Sequence, residues 1–174
     1  MHCMIDLETL DTKTSTVVLS IGACAFDENG IHDKFYRVLS FDDQMERGRT
    51  ISEATLQWWA KQNYEAFKDC MFGEKVLPVQ AIQEFVLFWK RNKCKKPWGN
   101  GSGFDVNIME SLFMDYNNKT PWQFWMARDL RTFQEFIMDN KKPVREGTHH
   151  NALDDSVDQA NFVIEGMKRR RMMI

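Results

Sequence analysis

The sequence predicts one α/β domain. Three patterns predict it: alternating apolar residues in the N-terminal third, helical apolar spacings after them, and no repeat or linker long enough to divide 174 residues. A chain of that length can bury a substantial core. Met1 to Ile5 is short and apolar and ends at Asp6, as a buried strand running out to a site would. From Val17, the odd positions Leu19, Ile21, Ala23 and Ala25 are also apolar, the two-residue period of a strand with one face buried. Asp27-Glu28-Asn29-Gly30 contains Asn-Gly, a strong hairpin turn, and Ile31 to Ser40 reads as the returning strand.

Helices dominate the remainder. Ser52-Glu53 opens a short one through Leu56, Trp59 and Ala60. Pro78 opens a longer one, with Val79, Ile82, Phe85, Val86 and Trp89 at helical spacing. After the lysine-rich break Lys93 to Lys96, Pro97-Trp98-Gly99 reads as a further strand entering a glycine-rich loop. Phe104 to Met114 and Leu130 to Met138 look helical. The last helix places Leu153, Val157, Ala160, Ile164 and Met167 on one face and ends in Lys168-Arg169-Arg170-Arg171, a composition suited to a helix C-terminus. The expected organisation is a single domain over 1–174 with a short basic tail.

Composition narrows the function classes. An apolar content of 43%, with 13 Phe and 6 Trp, supports a packed fold over disorder. A net charge of −2 supplies no basic field for gathering nucleic acid, although bound divalent cations would offset an acidic site. The four cysteines form no CxxC pair and read as free thiols. No apolar run approaches the roughly 18 residues a membrane span needs, and no signal-peptide pattern opens the chain, so a cytoplasmic protein is expected. The loop Gly99-Asn100-Gly101-Ser102-Gly103 lacks the Lys-Ser/Thr of a P-loop, and no GxGxxG is present, which excludes those nucleotide cradles.

Acidic residues carry the chemistry. Asp6 and Glu8 are two apart, so on a strand both side chains leave one face, and a cation between them relieves their repulsion. About one Asp-x-Glu is expected by chance in such a chain, so the pair alone says little. His150, Ala152 and Asp155 fit H-x-A-x-x-D, which random placement would give about 0.02 times. Adjacent His149 and Asp154 leave the choice within each pair open, and a carboxylate in a first helical turn also serves as an ordinary cap. Asp105 follows the glycine-rich turn at a helix start, beside the end of a strand.

Taken in order, Asp6-x-Glu8, Asp105 and His150 with Asp155 resemble the DEDDh branch of the DnaQ-like 3′→5′ exonucleases. The stretches Met4 to Thr9, Thr55 to Gln62, Trp122 to Trp125 with Arg128 to Thr132, and His150 to Asp155 are most similar to the phage and prophage small exoribonuclease-like group, the T-even phage exonuclease A type. The family spacing selects His150 and Asp155. The turn Ser102-Gly103-Phe104 departs from the family pattern, which has a small polar residue where Gly103 stands. The resemblance implies an RNase H-like fold with a five-stranded mixed sheet flanked by helices. It further implies that Asp6, Glu8, Asp105 and Asp155 hold two Mg²⁺ or Mn²⁺ ions, with His150 as general base. The expected partners are 3′ ends of single-stranded RNA or DNA, cut to nucleoside 5′-monophosphates in a bacterial or phage-infected cytoplasm.

By the same similarity, Thr9 would contact the terminal sugar and Leu10 would wedge near the last base. The adjacent Trp58 and Trp59 cannot both face one core, so one of them, assigned as Trp59, would line the groove with Gln62. Arg128 and Arg131 suit phosphate as well as they suit Asp129 or Glu135. Exposed aromatics serve a homodimer as readily as a substrate groove. A catalytically inactive nucleic-acid-binding module of the same fold is the alternative reading.

Overall fold

A computed structural model describes residues 1–62, 64–101 and 103–172. Along the chain it forms β1 (His2–Thr9), β2 (Val18–Asp27), β3 (Gly30–Leu39), α1 (Asp42–Glu46), α2 (Glu53–Trp59), α3 (Tyr64–Phe72) and β4 (Lys75–Val76). There follow α4 (Pro78–Arg91), β5 (Lys96–Gly99), α5 (Asp105–Asp115), a 3₁₀ turn (Phe124–Met126), β6 (Arg128–Asp129), α6 (Leu130–Ile137) and α7 (Ala152–Met172). The sheet order is β4-β3-β2-β1-β5-β6. β2 runs antiparallel to both β1 and β3, and β5 runs parallel to β1. The mixed α/β architecture is as expected, but the sheet has six strands, not five. β4 and β6 are two-residue strands, too short to show an alternation in sequence. Helices α1 and α3 also lacked a periodic signal.

Register decides which residues meet. Asp6 pairs with Gly22 and Glu8 with Ser20, and directly opposed residues share a face of the sheet. The odd positions Cys3, Ile5 and Leu7, with Ile21 and Ala23, pack with Phe85 and Phe88 of α4 and Met109 of α5. The even positions Met4 and Cys24 join Leu130 of α6 and Val163 and Ile164 of α7. One face of β1 is therefore wholly apolar, and the other carries the two acids beneath α7.

Two readings of the sequence change here. β1 does not end at Asp6 but continues through Thr9, so both acids lie within the strand. β2 is buried on both faces, because its small even residues receive α7. A Cβ on Gly22 would stand 2.0 Å from the Ala152 carbonyl carbon, so the start of α7 rests directly on the strand backbone. Ala152 is fully buried, and Ser156, Gln159 and Val163 are buried too; of the expected apolar face, Ala160 and Ile164 are buried and Val157 and Met167 pack partly buried against the same core. Close approach at its first residue, together with Phe162, Val163 and Ile164 in the core, seats this helix.

The remaining loops are tied by polar groups. Gln44 is fully buried, with its amide bonded to the N–H and the carbonyl of Val18 and to the Ser40 carbonyl. Arg49 holds the loop after β1 through the carbonyls of Thr14 and Thr16 and pairs with Asp115. All four cysteines are free and buried, as the missing CxxC suggested. Among the described residues no helix is long and apolar enough to cross a membrane.

Gly22→Ala should destabilise the protein by on the order of 3 kcal/mol, or roughly 6–12 °C in melting temperature. Gly103→Ala, where an added Cβ meets nothing within 4 Å, should be neutral by comparison. Thermal denaturation of both variants measures the difference.

Candidate functional site

The acids converge through four local devices. β1 supplies Asp6 and Glu8, and a bulge between Glu8 and Thr9 ends its regular pairing with β2. Asp105, the first residue of α5, is buried, and its two oxygens accept the Leu7 N–H at 3.2 Å and the Asn100 N–H at 2.9 Å. Gly99 makes room for it, since a Cβ there would lie 3.2 Å from the Asp105 Oδ2. α7 contributes Asp155 in its first turn and, one turn on, Gln159, whose Nε2 donates to Asp6 Oδ1 at 2.7 Å.

His150 sits just before α7 with φ at +65°, a left-handed backbone that non-glycine residues seldom adopt. Its N–H donates to Asp155 Oδ2 at 3.1 Å, so Asp155 fixes the histidine's backbone as well as facing the other acids. Asp154 and Asp158 hold the same loop by accepting the N–H groups of Thr148 and Glu146. The family spacing selects Asp155 over Asp154 for the site; Asp155 lines the cleft, and Asp154 turns back to the loop. Ligand atoms of Glu8, His150 and Asp155 lie within 4.8 Å of one another.

The cleft around these groups has a volume of about 570 Å³ and is lined by Asp6, Glu8, Thr9, Trp58, Phe104, Asp105, His150 and Asp155, among others. All five expected catalytic residues meet there. The four expected substrate contacts do not share one environment. Thr9 lines the cleft, but its hydroxyl donates to the Asp11 carbonyl at 2.9 Å. Leu10 is buried with Leu19, Trp59 and Cys70 and presents no wedge. Gln62 donates to the Trp58 carbonyl and is not among the lining residues.

Trp59 borders the cleft but is only 2% exposed, its indole N–H held by the Thr9 carbonyl at 2.9 Å. Trp58 is the open one of the pair, 41% exposed, with its ring edge-on to His150 at 4.7 Å. Trp59 had to be buried because its N–H bond braces the turn after Glu8. Phe104, Arg145 and Gln159 also line the cleft and were not anticipated. Gln159 stands four positions after Asp155, and that helical spacing was a usable signal. Arg145, in a loop without periodicity, left none. Ser102 lies outside the described residues.

The electrostatics follow from burial without counterions. None of Asp6, Glu8, Asp105 or Asp155 forms an ion pair among the described residues. Burial first, then Asp105 and Asp155, raises the Asp6 carboxyl well above the usual range, and Glu8 is raised by burial and by Asp6. Burial pushes Asp105 up to about 6 despite its two N–H donors, and Asp155 is raised as well. Burial, with His149 and Arg145 nearby, lowers His150 to about 4. The imidazole is therefore neutral at pH 7 and able to accept a proton.

A mixed sheet of this order thus brings four carboxylates and one histidine into a single cleft. The nuclease domain of 3′hExo, a DEDDh family member solved bound to rAMP, superposes with a TM-score of 0.64 at 12% identity, covering 96% of this chain and 91% of that one. Exonuclease X, solved with 5′-overhanging duplex DNA, gives 0.60 at 15% identity, covering 97% and 92%. These two show the RNase H-like exonuclease fold. No curated protein matches the sequence. The family model of the 3′–5′ exoribonuclease Rv2179c-like domain matches residues 1–167, so the chain belongs to that 3′–5′ exonuclease family.

Carboxyls with raised folded-state values stabilise the protein when protonated, and that stability is lost as pH rises through the folded values. For Asp105 the window runs from its ordinary value of 3.8 to about 6. Cation-free protein should therefore melt lower at about pH 7.5 than at about pH 5. Asp6→Asn, which keeps an oxygen for Gln159, should raise the cation-free melting temperature at about pH 7.5 by roughly 2–6 °C and change it little at about pH 4.

Proposed function

We propose that residues 1–174 act as one exonuclease domain that hydrolyses the 3′-terminal phosphodiester of single-stranded RNA or DNA to release nucleoside 5′-monophosphates. The observation that carries this is the convergence of four carboxylates with no counterion beside a neutral histidine. The residues present fit hard divalent cations: the four carboxylates are oxygen donors, Glu8 and Asp105 are buried and Asp6 and Asp155 half-buried, N–H donors orient Asp6, Asp105 and Asp155, and none of the four forms an ion pair among the described residues. Asp6, Glu8, Asp105 and Asp155 would hold two Mg²⁺ or Mn²⁺ ions, which supply a polarised water and offset charge on the phosphate.

The chain's own groups do the rest. His150, held neutral by burial and fixed by its N–H bond to Asp155, takes the proton from the attacking water. Trp58, edge-on to His150, offers an apolar surface on which the terminal base stacks without regard to sequence. Thr9 borders the sugar, and its hydroxyl oxygen remains free to accept a hydrogen bond. Trp59 acts on the substrate through the Thr9 carbonyl it holds. The matched family's exoribonuclease description favours RNA over DNA. Kinship with phage enzymes and work in the bacterial or phage-infected cytoplasm belong to the same proposal, with a homodimer as the assembly to test by light scattering.

The alternative, a binding module without catalysis, separates in one assay. With Mn²⁺, a 5′-labelled single-stranded oligonucleotide should yield a stepwise ladder that EDTA and Asp6→Ala abolish. His150→Ala should lower kcat by roughly 10²–10⁴-fold. Trp58→Ala should raise KM by roughly 5–100-fold, the worth of one stacked base. Tight binding without cleavage in Mg²⁺ or Mn²⁺ would instead establish the binding module. Running RNA and DNA side by side decides the sugar.

A further inference from the structure

A second cleft, of about 940 Å³, opens beside the catalytic one. The two share Asn100, Arg131, Arg145, Asp155 and Gln159 in their linings, so they form one continuous groove. The second cleft is bounded by α6, by the loop that leads to His150, and by α7. We propose that it is the track for the sugar-phosphate backbone upstream of the scissile bond, with Arg131, Lys142 and Arg145 receiving successive phosphates. This inference rests on the reading of the catalytic cleft as a 3′-end site: a polymer whose end lies there must leave through an adjoining groove.

Charge pairing supports the assignment. Most of the other arginines are tied down: Arg37, Arg47, Arg49, Arg91, Arg169 and Arg171 form ion pairs and Arg128 donates to three backbone carbonyls, with Arg170 on the helical tail the exception among the described residues. Among the described residues, Arg131, Lys142 and Arg145 form none, and all three are exposed. The one side-chain hydrogen bond of Arg131 runs from Nε to the Asn100 carboxamide at 3.3 Å, which leaves the two terminal nitrogens free. The cleft's acids are differently disposed. Asp158 is buried and accepts the Glu146 N–H, and Asp155 faces the catalytic acids. Glu135 is the one exposed carboxylate lining the cleft. The lining carries three cations and three acids, but the cations are the exposed, unpaired groups, while Asp158 is buried and Asp155 is turned to the catalytic acids. Guanidinium and ammonium groups spaced along a groove match a phosphate chain and read no sequence.

The probes are a dinucleotide and a single-stranded oligonucleotide of about ten residues, bound in the presence of Ca²⁺ and followed by fluorescence anisotropy across a KCl series. The wild type should bind the longer probe at least about tenfold tighter. The slope of log Kd against log[KCl] should fall by about 0.7 for each cation removed in Lys142→Gln and in the Arg131→Gln/Lys142→Gln pair. Lys142→Arg should retain the slope, and Lys168→Gln, on the helical tail, should leave it unchanged. Equal affinity for both lengths, or an unaltered slope in the double variant, would overturn the track. Cleavage is scored separately with a p-nitrophenyl ester of a nucleoside 5′-monophosphate, which has no upstream phosphate. Length-dependent binding lost in the variants, with the ester uncut in Mn²⁺, would uphold the track and sink the exonuclease proposal instead.

Discussion

Mutual repulsion among four carboxylates in a low-dielectric cleft is the constraint to which the rest of this structure answers. Burial raises all four carboxyls, Asp105 and Asp155 add to the cost at Asp6, and none forms an ion pair, although Arg145 and Arg131 offset part of that cost from a distance. The fold meets that cost with fixed dipoles and close packing. Two backbone N–H groups serve Asp105, an amide serves Asp6, and a histidine N–H serves Asp155. Each donor needs its carrier placed to within a few tenths of an ångström. Gly22 beneath Ala152 and Gly99 beside Asp105 provide that placement.

This explains why H-x-A-x-x-D was a sharper signal than Asp-x-Glu. The alanine in it is fully buried at the point where the backbone of α7 reaches β2, so close to Gly22 that even a methyl group on the glycine would clash. The β1-β2-β3 ladder was legible for a similar reason, since its alternation and Asn-Gly turn are local properties of the chain. What stayed hidden was set by tertiary contact. β4 and β6 are strands only because β3 and β5 lie beside them. The buried side of α7 keeps Ala160 and Ile164 of the apolar stripe but also takes in Ser156 and Gln159, polar residues that the stripe did not include. Trp58 and Trp59 could be told apart only by the Thr9 carbonyl, which takes the N–H of the second.

Gln159 shows how function and stability compete at this site. Its Nε2 serves Asp6, yet its Oε1 is the one buried side-chain polar atom among the described residues that has no partner. An unsatisfied buried acceptor costs about 1–3 kcal/mol, which a leucine of similar size would avoid. Retaining the amide is therefore an expense borne for the orientation of one carboxylate. The same trade appears at His150, whose left-handed backbone costs on the order of 1 kcal/mol and puts the imidazole beside Glu8 and Asp155.

Asp155 links these separate economies. One of its oxygens accepts the N–H of the strained histidine, and its carboxylate is among those that raise the Asp6 carboxyl. The residue that completes the acidic cluster thus also holds the base in position. Asp154 and Asp158 extend the clamp along the loop, fixing it at Thr148 and Glu146 on either side of the His150 approach. Three carboxylates on the first turns of one helix thereby convert an irregular loop into a rigid mount. That mount carries His150 at one end and Arg145 at the other, so the geometry of the cleft and the course of the adjoining groove are set by the same few hydrogen bonds.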